Sequence, residues 1–128
     1  MQKNIGIFRE FDPDTREQIL RGNPVRDILI TFTGMAFSLG VSGDVRVKVK
    51  KLGKKFNDFQ GSTIEFIELP RPKQGFVVRL AVNFAEFPLN SEGHSNHSPI
   101  EAFDNALKLI EKRYMTLGLQ EKTSVSPR

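Results

Sequence analysis

The sequence predicts a single α+β domain in the order strand, helix, strand, strand, weak strand, helix. Three observations carry this: a β-branched and aromatic run at 28–33 closed by Gly34, an apolar stripe at helical spacing from Phe37 to Phe56, and a capped amphipathic helix that follows two further strands. With 128 residues, 38% of them hydrophobic and 11 of them Phe, the chain can fill one packed core and has little left for a second.

Residues 1–27 are expected as an N-terminal arm, largely irregular. Asp12-Pro13-Asp14 and Gly22-Asn23-Pro24 read as turn signals there, with one short helix near Thr15 to Arg21 between them. The first strand is Ile28-Leu29-Ile30-Thr31-Phe32-Thr33, whose near-continuous apolar character predicts burial on both faces. The next segment has two readings. Val45, Val47 and Val49 alternate with Arg46, Lys48 and Lys50 as in a half-buried strand, whereas Phe37, Val41, Val45, Val49, Leu52 and Phe56 recur every three or four residues and form one stripe along a helix. The longer pattern decides for a helix capped by Ser38. Gly40, Gly43 and Gly53 each cost it up to about 1 kcal/mol, so tertiary packing has to hold it.

Thr63 to Leu69 and Phe76 to Phe84 read as strands of an antiparallel hairpin joined through Pro70-Arg71-Pro72-Lys73-Gln74-Gly75. Phe87 to Glu92 supplies a shorter strand, confined by Pro88 to an edge, and Gly93 to His97 is expected as loop. Ser98-Pro99-Ile100-Glu101 combines an N-cap serine, a first-turn proline and a capping-box glutamate. Phe103, Ala106, Leu107, Ile110 and Tyr114 then form the buried face of a helix expected to stop at Gly118. Residues 28–118 thus make the domain, and 119–128 a flexible tail.

Composition excludes several classes of chemistry. The absence of cysteine removes disulfide scaffolds, thiolate zinc sites and cysteine nucleophiles, and fits a reducing cytoplasm. No apolar run has signal-peptide or membrane-span length, so a soluble cytoplasmic protein is expected, with no membrane partner. No nucleophile elbow, P-loop or zinc-protease motif is present; no catalytic residue, cofactor or small-molecule substrate is assigned, and the expectation is a protein that is not an enzyme. His94 and His97 lie three apart in a polar stretch near Glu92, without a metal-ligand spacing motif, and are read as loop polarity. Phe59, Phe84 and Phe87 are assigned to the core, not to base stacking.

The charge is concentrated. From Asp44 to Phe56 there are six cations, Arg46, Lys48, Lys50, Lys51, Lys54 and Lys55, against one acid, a local charge of +5 in a chain of net charge +4. The rest of the chain is therefore close to neutral. With the apolar stripe centred on Val45, Lys50, Lys51 and Lys54 fall on the opposite face and Arg46, Lys48 and Lys55 on the flanks. Cations in register along one helix suit a phosphate backbone, and the excess of lysine over arginine favours phosphate contact over base reading. A solvated surface is the plain alternative. On the last helix Lys108, Lys112 and Arg113 are interspersed with Glu101, Asp104 and Glu111, a pattern of salt-bridged solvation that can also extend the basic surface.

The order of elements, with Ile30-Thr31-Phe32-Thr33-Gly34 and Phe37-Ser38, the stripe Val41, Val45, Val49, Leu52, Phe56, the hairpin start Gln74-Gly75-Phe76-Val77, and Ile100-Glu101-Ala102-Phe103-Asp104-Asn105-Ala106-Leu107 leading to Leu109-Ile110-Glu111-Lys112, resembles the short form of the ribosome hibernation-promoting factors. These are also called ribosome-associated inhibitors or sigma-54 modulation proteins. The resemblance runs from about Ile28 to Leu117 and leaves the first 27 residues outside it. It implies a double-stranded-RNA-binding-like β-α-β-β-β-α fold, with two helices on one face of a four-stranded, mostly antiparallel sheet. It further implies a non-catalytic factor that binds small-subunit rRNA through both helices and silences translation by occlusion. By position the contacts are Lys48, Lys50, Lys51, Lys54 and Lys55 on the first helix and Lys108, Lys112 and Arg113 on the last, with Arg46 in the same cluster. A monomer is expected, because the dimerisation domain of longer members has no counterpart. The rival expectation is a protein-interaction module of the same fold without ribosome binding.

Overall fold

The computed structural model describes residues 9–21, 28–70 and 72–125. The elements are β1 (Arg9–Phe11), α1 (Pro13–Arg21), β2 (Ile28–Thr33), α2 (Leu39–Lys55), β3 (Phe59–Glu68), β4 (Phe76–Phe84), β5 (Pro88–Ser95) and α3 (Pro99–Val125). The strands form one mixed sheet in the order β1-β2-β3-β4-β5, in which β2 and β3 are parallel and every other neighbouring pair is antiparallel. The class is α+β as expected; among the described residues there are five strands where four were expected, and the short helix expected in the N-terminal arm is α1, which joins the two helices expected of the domain. The turn residues Gly22-Asn23-Pro24, Arg71, and Ser126 to Arg128 lie outside the described residues.

A parallel neighbour demands a crossover, and α2 supplies it between β2 and β3. Ser38 caps α2, accepting from the Val41 N–H at 3.3 Å, and the helical reading of the ambiguous segment holds. Val45, Val49, Leu52 and Phe56 are buried, with Val41 partly so, against Ile28, Ile30, Phe32, Ile64 and Phe66 of the sheet. Phe103, Ala106 and Ile110 of α3 complete the core over β4 and β5. At one end Phe84, Phe87 and Phe56 gather round Tyr114 with ring centroids 4.1–6.0 Å from it. The Tyr114 hydroxyl donates to Asp58 at 2.9 Å. Phe84 is buried and Phe59 and Phe87 pack on the core, as assigned from the sequence.

Three differences from the sequence expectation have physical causes. Asp12-Pro13 is a helix start: the Asp12 carboxylate accepts from the Thr15 N–H at 2.9 Å, and proline sits at the first helical position. The three residues before it, too few to show a period, pair with Thr31 to Thr33 as β1. Where β1 ends, α1 takes over the exposed edge of β2, since the Asp12 N–H donates to the Ile30 carbonyl at 3.3 Å and the Ile30 N–H to the Thr15 hydroxyl at 2.7 Å. Second, β5 runs on through Gly93 to Ser95. Its inward positions are Leu89, Ser91, Gly93 and Ser95, so no apolar alternation marks it. Third, α3 passes through Gly118 to Val125, at a propensity cost of about 1 kcal/mol.

Gly43 of α2 is surplus to the packing. An added Cβ meets nothing within 4 Å, so Gly43→Ala is expected to stabilise the protein by about 0.5–1 kcal/mol. Urea denaturation at neutral pH checks this; a lowered midpoint would show that α2 needs the glycine.

Candidate nucleic-acid interface

The cations of α2 separate into those the fold engages and those it leaves open. Arg46 turns inward, its side chain 13% exposed, and grips the Asp12 carboxylate through Nη2 at 2.9 Å and Nε at 3.1 Å. Ser42 donates to the same carboxylate, and Asp14 approaches Arg46 Nε at 3.5 Å. Burial works against ionisation of Asp12, but the hydrogen bonds from Ser42, Thr15 and Arg46 outweigh it and hold the carboxyl below its ordinary range. Arg46 thus joins α2 to α1.

Lys48 and Lys55 turn toward α3. Lys48 Nζ stands 2.8 Å from Asp104 Oδ1, and Lys55 Nζ 3.7 Å from Glu111 Oε1. Both partners of the second pair lie seven residues beyond those of the first, in the same direction. The two helices therefore run parallel, with ion pairs about two turns apart along their seam. Arg113 reaches over the open edge of β5 and donates to the Asn90 carbonyl, and Asn105 donates to the His94 carbonyl at 3.0 Å. Two of the edge carbonyls that an incoming strand would use are thereby occupied.

The remaining predicted cations, Lys50, Lys51 and Lys54 on α2 with Lys108 and Lys112 on α3, are exposed and make no ion pair among the described residues. The opposite face of the sheet is different in kind. There the Thr33 hydroxyl donates to Glu65 at 2.9 Å, Arg79 lies 3.9 Å from Glu65 and 3.2 Å from Glu92, and His94 Nε2 is 3.4 Å from Glu92. That ladder sets two carboxylates against one guanidinium, while the helical layer presents uncompensated lysine. Of the two surfaces, the electrostatics of the helical layer are the more favourable to a polyanion. His97 is exposed beyond the end of β5, and no group of three or more potential metal ligands occurs among the described residues.

The sequence reading did not single out Asp12, Asp104 and Glu111 as the residues that hold Arg46, Lys48 and Lys55. The matched seven-residue spacing of 48 and 55 with 104 and 111 was the available signal for two of them.

No known protein-family model matches the chain, and no curated protein matches it in sequence. Solved structures do share its fold. The N-terminal domain of Protein Y from Thermus thermophilus superposes with a TM-score of 0.57 at 12% identity, over 70% of this chain and 93% of that domain. A ribosomal subunit interface protein from Coxiella burnetii superposes with a TM-score of 0.50 at 16% identity, over 70% of this chain and 98% of that one.

Proposed function

We propose that this protein is a non-catalytic, cytoplasmic ribosome-associated factor that binds small-subunit rRNA through its helical layer and silences translation by occupying the site. The observation that carries this reading is the open set Lys50, Lys51, Lys54, Lys108 and Lys112 on two parallel helices of one layer. The fold shared with a ribosomal subunit interface protein supports the choice of the ribosome as the source of the polyanion. Arg46, Lys48, Lys55 and Arg113 belong to the same surface as supporting cations. The first three fix the helices to α1 and to each other, and Arg113 sits at the β5 edge. Residues 28–118 form the binding domain in this reading, and the protein acts as a monomer.

Phosphate contacts release condensed counterions, so binding must weaken steeply with salt. Co-sedimentation with purified small subunits across a potassium chloride series is the test, comparing the wild type with Lys50→Glu/Lys51→Glu/Lys54→Glu. The triple variant removes three contacts and introduces three repulsions at exposed positions. Its affinity is expected to fall by at least about a hundredfold, with the fold intact by circular dichroism. Equal co-sedimentation of the two proteins would overturn the proposal and favour a protein-interaction role for the same fold.

A further inference from the structure

The seam between α2 and α3 carries two ion pairs, and between them stand two lysines with no acid. Along α2, Lys51 lies three residues after Lys48 and four before Lys55; along α3, Lys108 lies four after Asp104 and three before Glu111. In parallel helices with a rise of about 1.5 Å per residue, these positions share a level to within about 1.5 Å. The helical turn of about 100° per residue puts each of them slightly to the solvent side of the residue that crosses the seam on its own helix. Helix axes pack about 8–10 Å apart, within the span of two lysine side chains. Asp104 and Glu111 face the same seam, but Lys48 and Lys55 occupy them.

We infer that Lys51 and Lys108 form a two-sided clamp for a single phosphodiester group seated over the seam. This rests on the reading of the helical layer as an RNA surface and adds to it that one phosphate is shared between the helices. Two ammonium groups at one level repel each other until an anion lies between them, and the two carboxylates on the seam are already paired with Lys48 and Lys55. The flanking ion pairs bridge the two helices on either side of the clamp, and the buried core beneath sets the separation of the helices. Lys50 and Lys54 point away from the seam and make separate contacts.

A shared phosphate makes the two lysines interdependent, and separate phosphates make them independent. A double-mutant cycle of Lys51→Gln, Lys108→Gln and the double variant, read by the binding of the full chain to a fluorescent oligouridylate over a salt series, separates these cases. Each single substitution is expected to lower affinity by about tenfold and to reduce the slope of log K against log salt by about 0.7, the value for one phosphate contact on a single strand. The double variant is expected to lose little more than either single one. Losses that multiply, with the slope falling twice, overturn the clamp, as does an unchanged affinity in both single variants. Lys50→Gln/Lys54→Gln serves as the comparison, with multiplicative losses expected. Wild type that sediments with small subunits but shows no coupling removes the clamp alone. Coupling on oligouridylate without sedimentation removes the ribosomal reading alone, and binding to neither removes both.

Discussion

Gly93→Ala is expected to unfold the protein or to cost it more than about 4 kcal/mol, because α3 lies directly on the backbone of β5 at that position. A Cβ built on Gly93 stands 2.0 Å from the Ala102 carbonyl oxygen and 2.6 Å from the Ala106 nitrogen, both main-chain atoms of α3. No rotamer change relieves that overlap. The helix has to withdraw by more than an ångström, and with it move Phe103, Ala106 and Ile110, which are fully buried, and the hydrogen bond from Ser91 to the Ala106 carbonyl at 2.7 Å. Domain stability is about 5–15 kcal/mol, so this one methyl group takes a large share of it. Gly43→Ala is the internal control: the same substitution with open space around the new atom, and the opposite sign expected. Thermal melts of the two variants followed by circular dichroism decide the matter. A melting temperature for Gly93→Ala close to that of the wild type would show that α3 does not seat on β5 in this way.

Gly93 also shows where the sequence was legible and where it was not. Long apolar periods were readable: β2, β4 and the buried stripes of α2 and α3 fall where Ile28 to Thr33, Phe76 to Phe84, Val45 to Phe56 and Phe103 to Tyr114 indicate. The helix in the ambiguous segment followed from a stripe several turns long outweighing three alternating valines. Elements stabilised by the backbone or by polar side chains were not readable from hydrophobicity. β5 faces the core with one leucine, two serines and a glycine, and its glycine, taken as loop punctuation, marks a close approach of main chain to main chain. β1 is three residues long, and Asp12-Pro13, which suits a turn, suits the first turn of a helix equally well. In the basic cluster, the locations of the lysines on α2 were legible from the helical turn. Which of them remain open was not, because that depends on acids 56 residues further along the chain for both Lys48 and Lys55 and on an acid 34 residues earlier for Arg46.

Asp12→Ala is expected to cost about 3–5 kcal/mol, the range for removing one partner of a buried ion pair. Asp12 is 1% exposed and accepts from Ser42, from the Thr15 N–H and from Arg46, so its loss leaves a largely buried guanidinium with only the exposed Asp14 carboxylate nearby and removes the cap of α1. With α1 released, the Ile30 N–H loses the Thr15 hydroxyl and the edge of β2 opens. The dependence on pH has a definite sign. The folded-state pKa of Asp12 is lowered, so its contribution is complete above the unfolded-state value of about 3.9 and is lost as pH falls through the lower folded-state value. The stability gap between wild type and Asp12→Ala should therefore be constant from neutral pH down to about pH 5 and narrow progressively below about pH 4. Urea denaturation of both proteins at pH 7, 5 and 3 reads this directly. A gap that keeps its full size at pH 3 would mean that the carboxylate is not the group that secures α1. If the gap closes as expected, the acid that holds Arg46 is also the acid that joins the first helix to the lysine-bearing layer, and because Lys50, Lys51, Lys54, Lys108 and Lys112 make no contact with Asp12, Asp12→Ala should leave the salt slope of oligouridylate binding nearly unchanged under conditions where α2 stays folded.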